Sequence, residues 1–187
     1  MIYVGYPCIG KSSIAGQDNF IDLESSNFKH LPNWVEEYVK IAQLLNSQGY
    51  NIFLSTHKEV RDELKKQQLT FVCIFPGIEL YNRWFERLAS RYKHSPSDKN
   101  LRALEHVTKH YKEDIDDLMT EDIILVIHDI KYNLIDFIKS NKPQSKGRST
   151  TIDFDENGNM HIEYNSRSGK TLTDIWKDQD SLLDPPQ

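Results

Sequence analysis

MIYVGYPCIGKSS (residues 1–13) opens the chain, and Gly5, Gly10, Lys11 and Ser12 fit the spacing G-x-x-x-x-G-K-[ST] without mismatch. The spacing has a physical meaning. A backbone that curls round a phosphate with its N–H groups turned inward needs residues lacking a Cβ, which would obstruct the dihedrals or the approach. Lys11 would reach the terminal phosphates as a point charge, and the Ser12 hydroxyl would coordinate Mg²⁺. Met1–Val4 reads as a strand leading into this loop. A helix starting near Lys11 would add its positive end. Pro7 and Cys8 fill variable positions, Pro7 stiffening the loop and Cys8 acting as a small filler. A glycine turn carrying an exposed lysine is the plain alternative.

Working outward, four more apolar runs follow: Asn19–Leu23, Asn51–Ser55, Thr70–Phe75 and Asp122–Ile127. They are nearly continuously apolar, as parallel strands covered on both faces should be. Between them, helical spacing recurs. Trp34, Tyr38, Ile41, Leu44 and Leu45 form one stripe, with Gly49 as its stop. Val60 and Leu64 mark a shorter helix, and Leu80, Trp84, Leu88 and Tyr92 another. Leu101, Leu104, Val107, Tyr111, Ile115 and Leu118 form a long one, and Ile130, Leu134, Phe137 and Ile138 a closing one. The alternation predicts a three-layer α/β domain over residues 1–141. Residues 142–187 read as a separate piece: a polar linker, a β-hairpin around Glu156-Asn157-Gly158-Asn159, and a polar tail relieved by Leu172, Ile175 and Trp176.

Bulk composition excludes several classes. With 187 residues and a formal net charge of −5, no electrostatic argument favours nucleic acid or an anionic membrane. Two cysteines without a secretory leader fit a reducing cytoplasm, and no apolar run reaches the ~18 residues of a membrane span. The expected location is cytoplasmic. The expected partners are a nucleotide or another small-molecule acceptor, with no membrane and no nucleic acid. Monomer and homodimer both stay open.

With these residues in view, the first 140 or so resemble the P-loop kinases of small molecules, within the nucleoside monophosphate kinase-like group. GYPCIGKS carries the resemblance first. Asp22 and Glu24 in FIDLESS come next, similar to the D-x-D of shikimate kinase-like enzymes, whose carboxylates serve Mg²⁺ and a substrate hydroxyl. WFERLASR looks like the E-R-L-x-x-R element of adenylate kinases. The resemblance implies a P-loop NTPase fold with strand order 2-3-1-4-5, and ATP and Mg²⁺ as cofactors. It implies a donor site built from Gly5, Pro7, Cys8, Ile9, Gly10, Lys11, Ser12 and Ser13. Arg87 would pack on the adenine and Arg91 would touch the phosphates. Lys11, Asp22, Arg87 and Arg91 would be catalytic, with Ser12 and Asp22 at the metal.

The residues also carry a reading of their own. Arg83, Arg87 and Arg91, spaced i, i+4, i+8, share one helix face, and three guanidiniums together favour an anion opposite. The plain alternative is a solvated basic face neutralised by Glu79 and Glu86. Asp22 and Glu24 flank Leu23 and so point to one side, at the strand end where open α/β sheets bind ligands. A capping or loop carboxylate is the alternative there. Thr56 and His57, after the third strand, join Asp22, Glu24 and Arg83 as the acceptor side, with His57 as base the weaker use. His94, His106, His110 and His128 show no metal-ligand spacing.

The chain departs from adenylate kinases in three places. Little helix separates Ser13 from the second strand. A basic helix after HSPSDKN, carrying Arg102, Lys109 and Lys112, stands where the lid should be. Ser55-Thr56-His57 replaces an acidic Walker B end after the third strand. The expected activity is Mg²⁺-dependent transfer of the ATP γ-phosphoryl to a nucleotide or nucleoside. The alternatives are a shikimate- or gluconate-like kinase and a non-catalytic NTP-binding module.

Overall fold

The computed structural model describes residues 1–141 and the strand backbones 144–145, 150–154 and 160–164. The chain divides into two compact units, Met1–Pro143 and Gln144–Gln187. In the first, five strands alternate with six helices: β1 (Ile2–Gly5), α1 (Lys11–Ile14), β2 (Phe20–Asp22), α2 (Trp34–Ser47), β3 (Asn51–Ser55), α3 (Lys58–Lys66), β4 (Phe71–Pro76), α4 (Tyr81–His94), α5 (Asp98–Leu118), β5 (Ile123–Ile127) and α6 (Leu134–Ser140). The five strands are parallel and lie in the expected order β2-β3-β1-β4-β5.

Register places the site. Gly5 at the end of β1 lies between Ser55 and Ile74, and Asp22 ends β2 opposite Phe53. The loops after β1, β2 and β3 therefore open at one edge. All six residues of β4 are buried, which accounts for its unbroken apolar run. With right-handed crossovers, the β1-to-β2 step puts α1 on one face, and the reverse steps put α2, α3 and the α4–α5 hairpin on the other. Accordingly α6 packs on α1, α2 on α3 and α4 on α5.

Helix ends follow their chemistry. The Ser97 side chain accepts from the Asn100 amide to start α5, and the Asn133 side chain accepts from the Ile135 and Asp136 amides to start α6. Three expectations shift. Ile130 falls in the loop before the Asn133 cap, so the closing helix starts later than its apolar pattern. Leu80 belongs to a 3-10 turn (Ile78–Leu80) leading into α4. Leu44 is 53% exposed, because the face of α2 that meets the sheet carries Tyr38, Val39 and Ala42 instead.

A buried ion cluster ties α3 to the end of α5. The Arg61 guanidinium donates to both Glu121 and Asp117, and Lys65 approaches Glu121 at 2.9 Å. Arg61 and Glu121 are 3% and 1% exposed, so neither charge has water to fall back on.

In the second unit, a two-residue strand β6 (Gln144–Ser145) precedes β7 (Thr150–Phe154) and β8 (Met160–Tyr164), which pair antiparallel with Ile152 opposite Ile162. The expected hairpin is therefore present. Its turn at 156–159 and the tail with Leu172, Ile175 and Trp176 lie outside the described residues. Among the described residues, no helix is long and apolar enough to cross a membrane.

Candidate functional site

The loop from Tyr6 to Gly10 is held by two residues buried in the protein. Tyr6 and Ile9 are each 1% exposed. The Tyr6 hydroxyl donates to Asp114 Oδ2 on α5 at 2.9 Å, and the Tyr6 amide to the Ile74 carbonyl at 2.9 Å. Two residues then take left-handed backbone: Cys8 at φ 69° and Gly10 at φ 102°. Glycine adopts this freely, whereas cysteine carries a cost of about 1–2 kcal/mol. Gly5 is required for a different reason. A Cβ there would lie 2.7 Å from Ile9 Cδ1 and 2.8 Å from Lys11 Cδ.

The Lys11 stem thus lies across Gly5, and its ammonium donates to the Gly5 carbonyl at 2.7 Å and the Tyr6 carbonyl at 3.4 Å. Burial pushes its pKa down, while the charges of Asp22 and Glu24 pull it back up. Within the loop the Ile9 amide donates to Tyr6 and the Ser13 amide to Gly10. The amides of Cys8, Gly10, Lys11 and Ser12 have no acceptor among the described residues. Helix α1 is a single turn, too short for a strong dipole, so an anion held here would rest on these amides and Lys11.

Facing the loop, the Ser12 hydroxyl donates to Asp22 Oδ2 at 2.7 Å. These two hard oxygen ligands suit Mg²⁺, which keeps several waters and takes its remaining ligands from phosphate oxygens. Among the described residues no group of three His, Cys, Asp or Glu forms a self-sufficient metal cage. A cation here would therefore take the rest of its shell from waters or from a bound ligand.

Both features open into a cleft of about 800 Å³. Pro7, Cys8, Gly10, Lys11, Ser12 and Ser13 line it from the first loop and α1, Asp22 and Glu24 from the end of β2 and the loop after it, Arg87 and Arg91 from α4, and Lys99 and Arg102 from α5. Gly5 and Ile9 do not line the cleft: Ile9 is buried beneath the loop, and Gly5 lies under the Lys11 stem. Arg87 is half-buried, its guanidinium carbon 5.3 Å from the Trp84 ring centre and 5.5 Å from that of Tyr132. Its Nη1 is buried without a hydrogen-bond partner, an orphaned donor among the residues that line the cleft. Glu24 is held by Lys99 Nζ at 2.6 Å, which joins the β2 loop to the start of α5.

Arg83 and Thr56 fall outside this cleft. Four residues of helix turn Arg83 some 40° away from Arg87, and it lies exposed, 3.9 Å from Glu86. Thr56 lines a smaller neighbouring pocket of about 220 Å³. His57 lines both, and its Nε2 accepts from Lys29 Nζ at 3.0 Å. Burial and the Lys29 charge push the His57 pKa down, favouring the neutral ring.

Sequence reasoning missed several participants. Lys29 has no motif around it, although it sits 5.4 Å from the Trp34 ring beside His57. Asp114 joins Tyr6 to His106, whose Nε2 lies 2.9 Å away, across more than 100 residues of chain. Trp84 was legible only as a core residue of α4, and Tyr132 lies in a loop with no periodicity. Comparisons with protein-family models, with curated proteins and with solved structures each found no match.

Proposed function

We propose that this protein is an ATP- and Mg²⁺-dependent phosphotransferase acting on a nucleotide or nucleoside. The observation that carries the reading is the Ser12–Asp22 hydroxyl–carboxylate pair, 2.7 Å apart, facing a loop with four unbonded amides. Hydrogen bonding of this kind prepares two oxygen ligands beside a polyphosphate cradle. Arg87 and Arg91 line the same cleft and supply the cationic groups that phosphoryl transfer calls for.

In this reading the Cys8, Gly10, Lys11 and Ser12 amides grip the β- and γ-phosphates, and the Lys11 ammonium exchanges its carbonyl partners for phosphate oxygens. Ser12 and Asp22 would hold Mg²⁺, which would supply charge neutralisation to those oxygens. Arg87 and Arg91 stabilise the transferring group from α4. An acceptor oxygen forms a bond to the γ-phosphorus while the bond to the β–γ bridging oxygen breaks, releasing ADP. Glu24 and His57 orient that acceptor, and solvent receives its proton. Positioning and preorganised charge supply nearly all the acceleration in such transfers.

The test is transfer from γ-labelled ATP with Mg²⁺ to a panel of nucleosides, nucleoside monophosphates and sugar acids. Label on a nucleoside or nucleotide is the expected result. Label on a sugar acid alone would move the protein to the shikimate- or gluconate-like class. MgATP binding without transfer to any member would leave an NTP-binding module, and no binding at all would end the phosphate-cradle reading.

A further inference from the structure

Two aromatic side chains from distant parts of the chain reach the same short loop. Trp84 Nε1 of α4 donates to the Pro7 carbonyl at 2.9 Å, and the Tyr132 hydroxyl, just before α6, donates to the Ile9 carbonyl at 2.8 Å. Both anchors are firm: Trp84 is 0% exposed, and Tyr132 packs against Phe137. Arg87 lies within 5.5 Å of both ring centres.

Peptide geometry turns these two bonds into a statement about the opposite side of the loop. In a trans peptide the carbonyl and the following N–H point in opposite directions, and rotating one rotates the other. Among the described residues no peptide bond is cis. Fixing the Pro7 carbonyl therefore aims the Cys8 amide, and fixing the Ile9 carbonyl aims the Gly10 amide. Those are two of the four loop amides without an acceptor, and both residues hold left-handed backbone.

We infer that Trp84 and Tyr132 are positioning residues that hold the loop's carbonyls outward, and thereby its Cys8 and Gly10 amides inward, before any phosphate arrives. The inference rests on the phosphate-cradle reading. Through their rings the same two residues hold Arg87 at the cleft wall, so donor loop and arginine share one support. Burial pushes the Tyr132 hydroxyl up to about 12, which keeps it a donor throughout the neutral range.

The test uses the full chain. Tyr132→Phe removes the hydroxyl and keeps the ring beside Arg87. Tyr111→Phe serves as the control, because it removes a comparable bond, 2.8 Å to the Gly77 carbonyl, away from the loop. Titration with MgADP and with magnesium pyrophosphate should show about fivefold weaker binding for Tyr132→Phe and no change for Tyr111→Phe, at similar losses of melting temperature. The ¹⁵N–¹H signal of Gly10 should move in Tyr132→Phe, and that of Cys8 should move in Trp84→Phe provided that variant folds. Unchanged MgADP and pyrophosphate affinity in Tyr132→Phe would overturn the inference and leave the cradle standing. A wild-type protein that binds neither probe would end the cradle reading, and the inference with it.

Discussion

Ser12 of the first loop and Asp22 of the second strand meet through one hydrogen bond, Oγ to Oδ2 at 2.7 Å. Ten residues of chain separate them, and a single turn of helix followed by a short strand brings the two ends back together. The pair is polar and solvent-accessible, so its loss should affect chemistry more than folding. Asp22→Asn keeps the shape and removes the charge. It should lower phosphotransfer about a hundredfold or more and raise the Mg²⁺ requirement, with a melting temperature close to wild type. A steady-state rate measured against magnesium concentration, beside a thermal melt, checks both halves.

Lys11 gives a different pattern. Its ammonium is held by two loop carbonyls in a site where burial disfavours its charge, so the fold gains little from it. Lys11→Ala should weaken MgATP binding about a hundredfold while stability stays the same or rises slightly. Calorimetric titration and urea unfolding on the same preparation separate the two effects.

The arginines of α4 should divide. Arg87 and Arg91 face the cleft, whereas Arg83 is exposed beside Glu86. Arg83→Ala should leave transfer unchanged and shift stability by less than about 0.5 kcal/mol. Arg87→Ala should cost about a hundredfold in rate. Equal losses for both would contradict the cleft as described.

His57 predicts a pH dependence of stability. Its folded pKa lies below the unfolded value of about 6.5, owing first to burial and then to the Lys29 ammonium. Between those two values the unfolded chain binds more protons, so stability rises with pH. The contribution is complete above about pH 6.5 and is lost as pH falls through the folded pKa. Melting temperatures from pH 5 to 7.5 should therefore fall more steeply on acidification for wild type than for His57→Gln.

The Arg61–Glu121 cluster should behave as a stability element only. Removing one partner leaves the other charge buried and unpaired, so Glu121→Ala should cost about 3–5 kcal/mol in urea unfolding. Replacing both by apolar residues of similar volume should cost much less. Activity per folded molecule should not change in either variant.

Much of the fold was legible because its signals are local. Strands buried on both faces must be apolar throughout, which made β3, β4 and β5 visible to within a residue. β2 was placed as closely, starting at Phe20 where the left-handed backbone of Asp18 and Asn19 ends; the exception is the closing helix, which the Asn133 cap starts after Ile130. The loop and its lysine were legible for the same reason, since the constraint on Gly5 and Gly10 is steric and short-range.

Other parts of the site depend on contacts between distant segments and leave no periodic trace. Helical spacing put Arg83, Arg87 and Arg91 on one face. Only the packing of Trp84 into the core fixed how α4 is rotated, and so which two arginines face the cleft. Lys29 reaches His57 across 28 residues, and Glu24 reaches Lys99 across 75. By itself the sequence determined the α/β alternation and the loop between its first strand and helix, because those depend on dihedrals and burial within a few residues. Only the tertiary structure decided which side chains hold that loop's carbonyls and face its amides. Those partners come from β2, α4, α5 and the residues before α6, and a hydrogen bond between distant segments is set by where the packed elements lie, not by spacing along the chain.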